Sequence, residues 1–466
     1  MLARPVLVVL SALAVARAAR AEAPEPLLPT DAVLTRLVDE SLSVRPELAR
    51  SLAIVRAEGE KVPQAEAFPD PMLQVGIQND GFARIEVGRM ETSYVSLMAS
   101  QTFPWPGKRG LRGQVASLGQ AQAQQLVSRV RLSTEAEVRR TYLELLLTRD
   151  RLILLDRLES LWQQSLGVAR ARYEAGGGAQ SDVLRAQLEL TRVKQRRIGL
   201  QADERSRVQA LNRLRAHPLD EAIETTTHVR DLHALAGLEG RFSAERAVAR
   251  SPELAAAHVG TVRAERSVAL AARGPYPDLT VGTGLMFRGA LPPMWLATVG
   301  APIPVFAAGK QRRAVAENRA WGVAAENEVL ALEQLLRLRS GERHTAFSAL
   351  VQMIDLYEQG LLVQSNATTE STLTQYRVGN VSFASVLEAN AGFIADQQAY
   401  LESVAAAHRL LLAEAEISLD PVAMPGAATS GASMASTTAA PMGAKPASAP
   451  GGGDAAASPG GGSSGM

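Results

Sequence analysis

Apolar residues in two long stretches of the chain recur at the spacing of a coiled coil. No proline occurs between Gly107 and His217 or between Val305 and Asp420, so both stretches can hold uninterrupted helix. The apolar positions step by three, four or multiples near seven, the period of helices that pack lengthwise. They are Leu126, Val130, Val138, Tyr142, Leu145, Leu152 and Leu155 in the first stretch, and Val329, Leu332, Leu336, Phe347, Leu350, Ile354, Tyr357 and Leu361 in the second.

This pattern predicts two helices of unusual length. If they run from Gly107 to about Arg172 and from Gly309 to about Gln375, each has about 65 residues and extends roughly 100 Å. A glycine just past a helix end is the usual stop signal, and Gly176 and Gly379 stand at these positions. A returning helix follows each glycine. The sequence therefore predicts two long antiparallel hairpins with their far tips at the two glycines.

Short segments before each long helix alternate between apolar and polar residues. In the first, Leu73, Val75 and Ile77 alternate with Gln74, Gly76 and Gln78. A period of two predicts strands with one apolar face. The other alternating segments are Val95 to Ser100 and Leu279 to Leu285. Polar loops join the paired strands, from Asn79 to Thr92 and from Arg288 to Pro293. A helix precedes each strand pair, from Asp31 to Gln64 and from Ser243 to Arg273, and prolines stop both helices.

Four strands cannot close a barrel alone, since about eight is the practical minimum. Either they form a small open sheet in a soluble protein, or several protomers pool their strands. Three protomers would supply about twelve strands, which is a workable barrel.

The landmarks of the first half recur in the second at an offset of about 200 residues, which indicates two copies of a domain-sized unit. We predict one unit over residues 24–239 and the other over residues 240–420. The corresponding segments are Arg45-Pro46-Glu47-Leu48 with Ser251-Pro252-Glu253-Leu254, Pro71 to Gly76 with Pro277 to Gly282, Phe103-Pro104 with Ile303-Pro304, and Tyr173 to Leu184 with Tyr376 to Leu387.

Both termini have compositions that differ from the repeats. Residues 1–23 combine Arg4, a short apolar run and Ala-x-Ala sites, which predicts a cleaved secretory signal peptide. Residues 421–466 are predicted to be a low-complexity tail, rich in Ala, Gly, Ser and Pro from about Ala427, with nothing to build a core and therefore disordered.

Charge and motifs exclude several function classes. The 49 basic and 48 acidic residues give a net charge of +1, which argues against a nucleic-acid partner. The sequence has 0 Cys and 6 His without an H-x-x-x-H pair, so no metal site is expected. No hydrolase, phosphate-binding or dinucleotide motif occurs, so we expect neither an enzyme nor a cofactor.

The duplicated units and the two tips together resemble the TolC family of outer-membrane efflux proteins. The resemblance covers about Pro29 to Asp420. Its most specific pieces are Tyr173-Glu174-Ala175-Gly176 leading to Ser181-Asp182-Val183-Leu184-Arg185-Ala186-Gln187, and Tyr376-Arg377-Val378-Gly379 leading to Ser385-Val386-Leu387-Glu388-Ala389.

The resemblance implies a mainly α protein that forms a homotrimer. Its long hairpins would build a helical barrel across the periplasm, and its strands a twelve-stranded β-barrel in outer-membrane lipid. The tips at Gly176 and Gly379 would contact a periplasmic adaptor bound to an RND-type inner-membrane pump, so that the chain acts as a passive exit duct.

The family also implies a gate near the second tip. An acidic pair there often narrows the entrance; here its positions are Ser385 and Glu388, so one acid is missing. Asp182 matches a residue that can bond across to a tyrosine matching Tyr376, a latch that holds the closed state. The arginine often found in that latch falls at Val381, which predicts a weaker latch. Alternatively, Glu388 and Asp182 are only solvated helix ends.

The cargo is open between metal ions and drugs. Phe68 to Pro71 and Gln101 to Arg109 resemble the heavy-metal branch of the family. Met72, Met90, Met98, Met286 and Met294 would suit soft copper ions, although methionine in strands and loops commonly serves packing. A different class of protein, a soluble periplasmic coiled-coil scaffold or adaptor without a pore, would share the signal and helices but leaves the duplicated strand pairs without a reason.

Overall fold

The computed structural model describes residues 31–82 and 84–422, so the predicted signal peptide and the segment after Ala427 lie outside the described residues. The described elements of the first half are α1 (Ala32–Val44), α2 (Pro46–Glu66), β1 (Met72–Gln78), β2 (Tyr94–Phe103), α3 (Lys108–Glu174) and α4 (Gln180–Leu214). Those of the second half are α5 (Ala244–Arg250), α6 (Pro252–Ala272), β3 (Leu279–Arg288), β4 (Leu291–Gly300), α7 (Gln311–Leu356), α8 (Leu362–Val378) and α9 (Phe383–Glu416). The second half thus repeats the order of the first.

Each opening helix is broken in two, so the expectation of one continuous helix was wrong in both halves. The breaks fall at Arg45 and Ser251, whose ψ angles are 118° and 119°. Both residues precede a proline, which disfavours helical geometry in its predecessor and then begins the next helix. Pro63 does not stop α2 as expected, because it lies inside the last turns and the helix continues to Glu66.

The two long helices are present. Helix α3 has 67 residues, which confirms the predicted helix after Gly107. The second is divided, since a π-helical turn at Tyr357–Leu361 separates α7 from α8. Within the described part of the chain, no helix combines the length and apolar character needed to cross a bilayer.

The four strands form one antiparallel sheet in the order β1-β2-β3-β4. The predicted second loop was too long: β3 and β4 are joined through Gly289 and Ala290, and Pro292 and Pro293 belong to β4. Prolines are tolerated there because the register shift between Met286 and Arg288 leaves Pro292 and Pro293 without paired residues in β3, so no N–H donor is required of them.

One face of the sheet is apolar and exposed. Strand register aligns Val75, Leu97, Leu285 and Trp295 in one row across all four strands. Val75 is 67% exposed and Trp295 77%. Paired residues lie on the same face, so this protomer alone leaves an apolar surface uncovered.

The main core lies where the long helices pack against one another and against α1. Tyr142 and Leu145 of α3, Leu37 of α1 and Val404 of α9 are among its buried residues. The hydroxyl of Tyr142 donates a hydrogen bond to Asp31, whose carboxylate also caps α1, so polar and apolar contacts fix α1 on α3 together.

Candidate functional site

The tips of the two hairpins lie side by side and end in the same turn geometry. Gly176 and Gly379 have φ angles of +76° and +87°. This left-handed conformation is strained for residues with a Cβ atom, which is why glycine is found there. The residue after each glycine donates its backbone N–H to a carbonyl in the last turn of the helix: Gly177 to Arg172 at 2.9 Å, and Asn380 to Gln375 at 2.9 Å. Both helices therefore end in the hydrogen-bonding pattern that reverses a chain sharply.

Arg172, in the last turn of α3, joins the two tips. Its Nη1 donates to the carbonyl of Tyr376 at 2.7 Å and its Nη2 to the carbonyl of Gly177 at 2.8 Å. The guanidinium also lies 4.6 Å from the centroid of the Tyr376 ring, within cation–π range. One side chain thus bonds to its own turn and to the end of the other hairpin.

Tyr376 is bonded on its other side by Asp182. The Tyr376 hydroxyl donates to Asp182 Oδ2 at 3.0 Å, and the tyrosine is only 1% exposed. Burial, and next the hydrogen bond and charge of Asp182, raise the pKa of Tyr376 to about 12, while Arg172 lowers it in part. At neutral pH the hydroxyl therefore keeps its proton and remains a donor to the carboxylate.

Ser385 and Glu388 lie at the start of α9, three positions apart and so on one side of the helix. The side chain of Glu388 is exposed and makes no hydrogen bond or ion pair with any residue of the described ranges. Ser385 Oγ lies 3.4 Å from Ser382 Oγ. Phe383 and Val386 occupy buried positions, so they hold the helix while Glu388 projects away.

The structure brings two of the four sequence-predicted gate residues together and leaves the other two outside that contact. Asp182 and Tyr376 form one cluster, whereas Ser385 and Glu388 take no part in it. Arg172 was missed by sequence reasoning, because a basic residue in the last turn of a helix is ordinary. Val381, at the position expected for the arginine, instead packs against the core.

The groups of this cluster are suited to holding helix ends together by hydrogen bonds. Its groups are a buried phenol, a carboxylate and a guanidinium that bond to one another and to backbone carbonyls. Among the described residues, no group of three or more His, Cys, Asp or Glu side chains could hold a metal ion. The arrangement can tie two helix ends together or release them.

Long helical hairpins with linked tips and a small sheet whose apolar face is exposed define a channel-type protomer. The family model described as outer membrane efflux protein matches residues 37–217 and 244–419. The chain belongs to the outer membrane efflux protein family, which confirms the resemblance and the expected class of efflux duct. It is an outer-membrane protein that extends into the periplasm. No curated protein matches the sequence significantly.

Solved outer-membrane channels share the fold at low sequence identity. The outer membrane protein VceC from Vibrio cholerae is 18% identical with a TM-score of 0.67, and the match covers 83% of this chain and 96% of that one. CusC is 16% identical with a TM-score of 0.65, and the match covers 83% of this chain and 92% of that one. The open state of the Neisseria gonorrhoeae MtrE channel is 14% identical with a TM-score of 0.61, and the match covers 83% of this chain and 88% of that one. These similarities confirm the mainly α fold class with a small four-stranded part.

Proposed function

We propose that three copies of this chain form the exit duct of a tripartite efflux system and conduct substrates passively out of the cell. The observation that carries this proposal is the exposed apolar face of a four-stranded sheet with two edge strands, β1 and β4. Four strands are too few to close on themselves, whereas three copies supply about twelve.

A barrel built in this way would bring its apolar face to the lipid. Val75, Leu97 and Leu285 would then lie in the hydrocarbon layer, where apolar side chains are favoured. Trp295 is the residue type favoured near the membrane interfaces. The hairpins, with helices of roughly 100 Å, would extend from the barrel into the periplasm.

The tips would form the entrance and the contact surface for partners. We assign Gly176 and Gly379 to the turns that contact a periplasmic adaptor, which in turn binds an RND-type inner-membrane pump. The bond between Tyr376 and Asp182 supports a latch that holds the closed state, with Arg172 as an added member. Glu388 and Ser385 would line the entrance, where the free carboxylate of Glu388 would favour cations.

The rival function, a soluble periplasmic scaffold or adaptor without a pore, is disfavoured by the apolar sheet. Such a protein would leave the row from Val75 to Trp295 in water, and large exposed apolar patches are uncommon on soluble monomers. For the cargo we favour heavy-metal cations over drugs, on the proline-rich segments Phe68 to Pro71 and Gln101 to Arg109 that flank the first strand pair.

Membrane fractionation, crosslinking and bilayer recordings test this function together. We expect the full-length protein to require detergent for extraction, to crosslink as a trimer, and to produce discrete conductance steps in planar bilayers. Replacing exposed Val75 and Leu97 with Asp should prevent membrane insertion, whereas the same change at exposed Ile198 of α4 should not. A monomer released by osmotic shock without detergent would contradict the proposal.

A further inference from the structure

Every strand of the sheet places one methionine on the face opposite the apolar one. Met286 of β3 pairs directly with Met294 of β4. Ser96 of β2 pairs with Met286, and Met98 lies two positions further along β2, hence on the same face. Met72 of β1 pairs with Ser100, again two positions from Met98. The four side chains therefore share one surface, which we call the methionine row.

The spacing of the methionine row allows neighbouring thioethers to meet. Directly paired residues such as Met286 and Met294 have Cβ atoms about 4.5–5.5 Å apart, and diagonal neighbours lie about 7–8 Å apart. Methionine has three rotatable bonds beyond Cα and can span such gaps. The row begins with Met72 at the helical end of the sheet and proceeds through Met98 to the pair near the β3–β4 turn.

The rest of this face does not resemble an apolar core. Besides the methionines and Leu296 it carries small or polar residues, namely Gln74, Gly76, Gln78, Tyr94, Ser96, Ser100, Thr102, Thr280, Gly282, Gly284, Thr298 and Gly300. Packing alone would place methionine beside leucine and valine, which occupy the other face.

Local geometry also makes room for one member of the row. A Cβ atom added at Gly284 would lie 2.8 Å from Met98 Cγ, so the glycine creates the space that the Met98 side chain occupies. Met72 is 64% exposed and Met294 39%, which leaves their sulfur-bearing side chains accessible. Of the six methionines in the described residues, only Met353 lies in a helix.

We propose that the methionine row binds soft monovalent cations, Cu⁺ or Ag⁺, through its thioether sulfurs. Neutral thioethers are soft ligands that select Cu⁺ over harder cations such as Mg²⁺ or Ca²⁺. A series of weak binding sites, one after another along a pore, suits an ion that must both enter and leave. The binding needs only the folded sheet, whereas its role in transit rests on the proposed function, in which this face lines the lumen.

Titration of the purified full-length protein in detergent with silver nitrate, in chloride-free buffer, tests the site. The variant M98L/M286L/M294L keeps side-chain volume but removes three sulfurs. We expect it to bind Ag⁺ more weakly than the wild type by about tenfold or more, with Met353→Leu unchanged. Equal affinity in the triple variant and the wild type, or no binding by the wild type, would overturn the proposal.

A second measurement avoids dependence on a variant that fails to fold. Ag⁺ should slow peroxide oxidation of Met98, Met286 and Met294 in the wild type, as measured by peptide mass spectrometry, while Met353, 37% exposed on α7, serves as the internal control. Bilayer conductance in potassium nitrate separates the two claims. Conductance without Ag⁺ protection overturns the methionine site alone, and protection without conductance overturns the proposed pore alone.

Discussion

The hydroxyl of Tyr376, near the end of α8, donates a 3.0 Å hydrogen bond to Asp182 in the first turn of α4, 194 residues earlier in the chain. Arg172 of α3 bonds to the backbone of the same tyrosine at 2.7 Å. A single buried tyrosine thus connects both helices of the first hairpin to the second. If the duct opens by separation of the hairpins, these are the bonds that must break at the tip.

Loss of the Tyr376 hydroxyl should favour the open channel. A hydrogen bond to a charged group contributes about 1.5–3 kcal/mol, so Tyr376→Phe should raise the ratio of open to closed channels by about tenfold or more. Asp182→Ala should act in the same direction. Single-channel open probability is the measurement, and Tyr173→Phe, at an exposed neighbour, is the matched control. Identical open probabilities in all three variants would mean that the bond is not a latch.

The same bond should be insensitive to pH across the physiological range. The pKa of Tyr376 is raised from 10.0 to about 12, so the protonated hydroxyl is the form that the folded tip stabilises. Its contribution is fully present below the unfolded pKa near 10 and is lost as pH rises through about 12. Open probability should therefore show no Tyr376-dependent change between about pH 6 and 9. A difference between wild type and Tyr376→Phe that varies with pH in that window would contradict this assignment.

Substitution of Gly379 should loosen the second tip without unfolding the rest. An L-residue in the left-handed conformation costs about 1–2 kcal/mol. The Cβ of alanine would meet Arg172 Nη2 only at an ordinary contact distance of 3.4 Å, so the cost lies in the backbone. We expect Gly379→Ala to speed amide hydrogen exchange in peptides of the tip and to weaken adaptor copurification, with trimer yield retained. Gly167→Ala, in the interior of α3 with open space around it, is the control. Slower exchange at the tip than in the control would refute the strain argument.

Glu388 should influence ion selectivity if its side chain faces the pore. Three exposed carboxylates around one axis attract cations, and Glu388→Gln removes the charge while keeping the shape. At about 0.01 M salt, where the screening length is about 30 Å, the Glu388→Gln variant should prefer cations less than the wild type does. At about 1 M salt, where the screening length is about 3 Å, the two should hardly differ. Reversal potentials measure this preference, with exposed Asp203→Asn on α4 as the control. Equal reversal potentials for the two variants at low salt would identify Glu388 as a solvated helix end.

Buried His408 should make the assembly sensitive to acid. Its Nε2 bonds to the carbonyl of Leu232 at 2.8 Å, and burial lowers its pKa below the usual 6.5. A depressed pKa means that the neutral form supports the fold above about pH 6.5, and that this support is lost as pH falls through the folded value. The melting temperature of the wild type should thus decrease more steeply below pH 6.5 than that of His408→Gln. The exposed His258→Gln variant should follow the wild type, and parallel curves for all three would contradict the prediction.

Much of the fold was predictable because its signals are local and repeated. Spacing of Val138, Tyr142 and Leu145 indicated the long helix, and alternation from Leu73 to Ile77 indicated a strand. The breaks at Arg45 and Ser251 were also encoded, by the prolines that follow them, although one helix was predicted across each break.

The site was less predictable because its contacts join distant parts of the chain. The pairing of Tyr376 with Asp182 entered as an expectation from family resemblance, and the role of Arg172 had no signal in local spacing. Neither hydrogen bonds between hairpins nor the burial of a tyrosine can be read from the periodicity of a single helix. The functions of Asp182, Tyr376, Ser385 and Glu388 at a gate stay predictions.

The π-helical turn at Tyr357–Leu361 shifts by one residue the register of inward-facing positions along the helix that carries Tyr376. Before it, Ser340, Phe347 and Ile354 are buried at intervals of seven, and after it Thr369 and Tyr376 are again seven apart. Thr369, however, comes fifteen positions after Ile354, where two intervals of seven would make fourteen. If the same residues continued as a regular α-helix, the inward position at the tip would belong to Gln375 instead of Tyr376, so the turn at Tyr357–Leu361 decides which side chain is buried there.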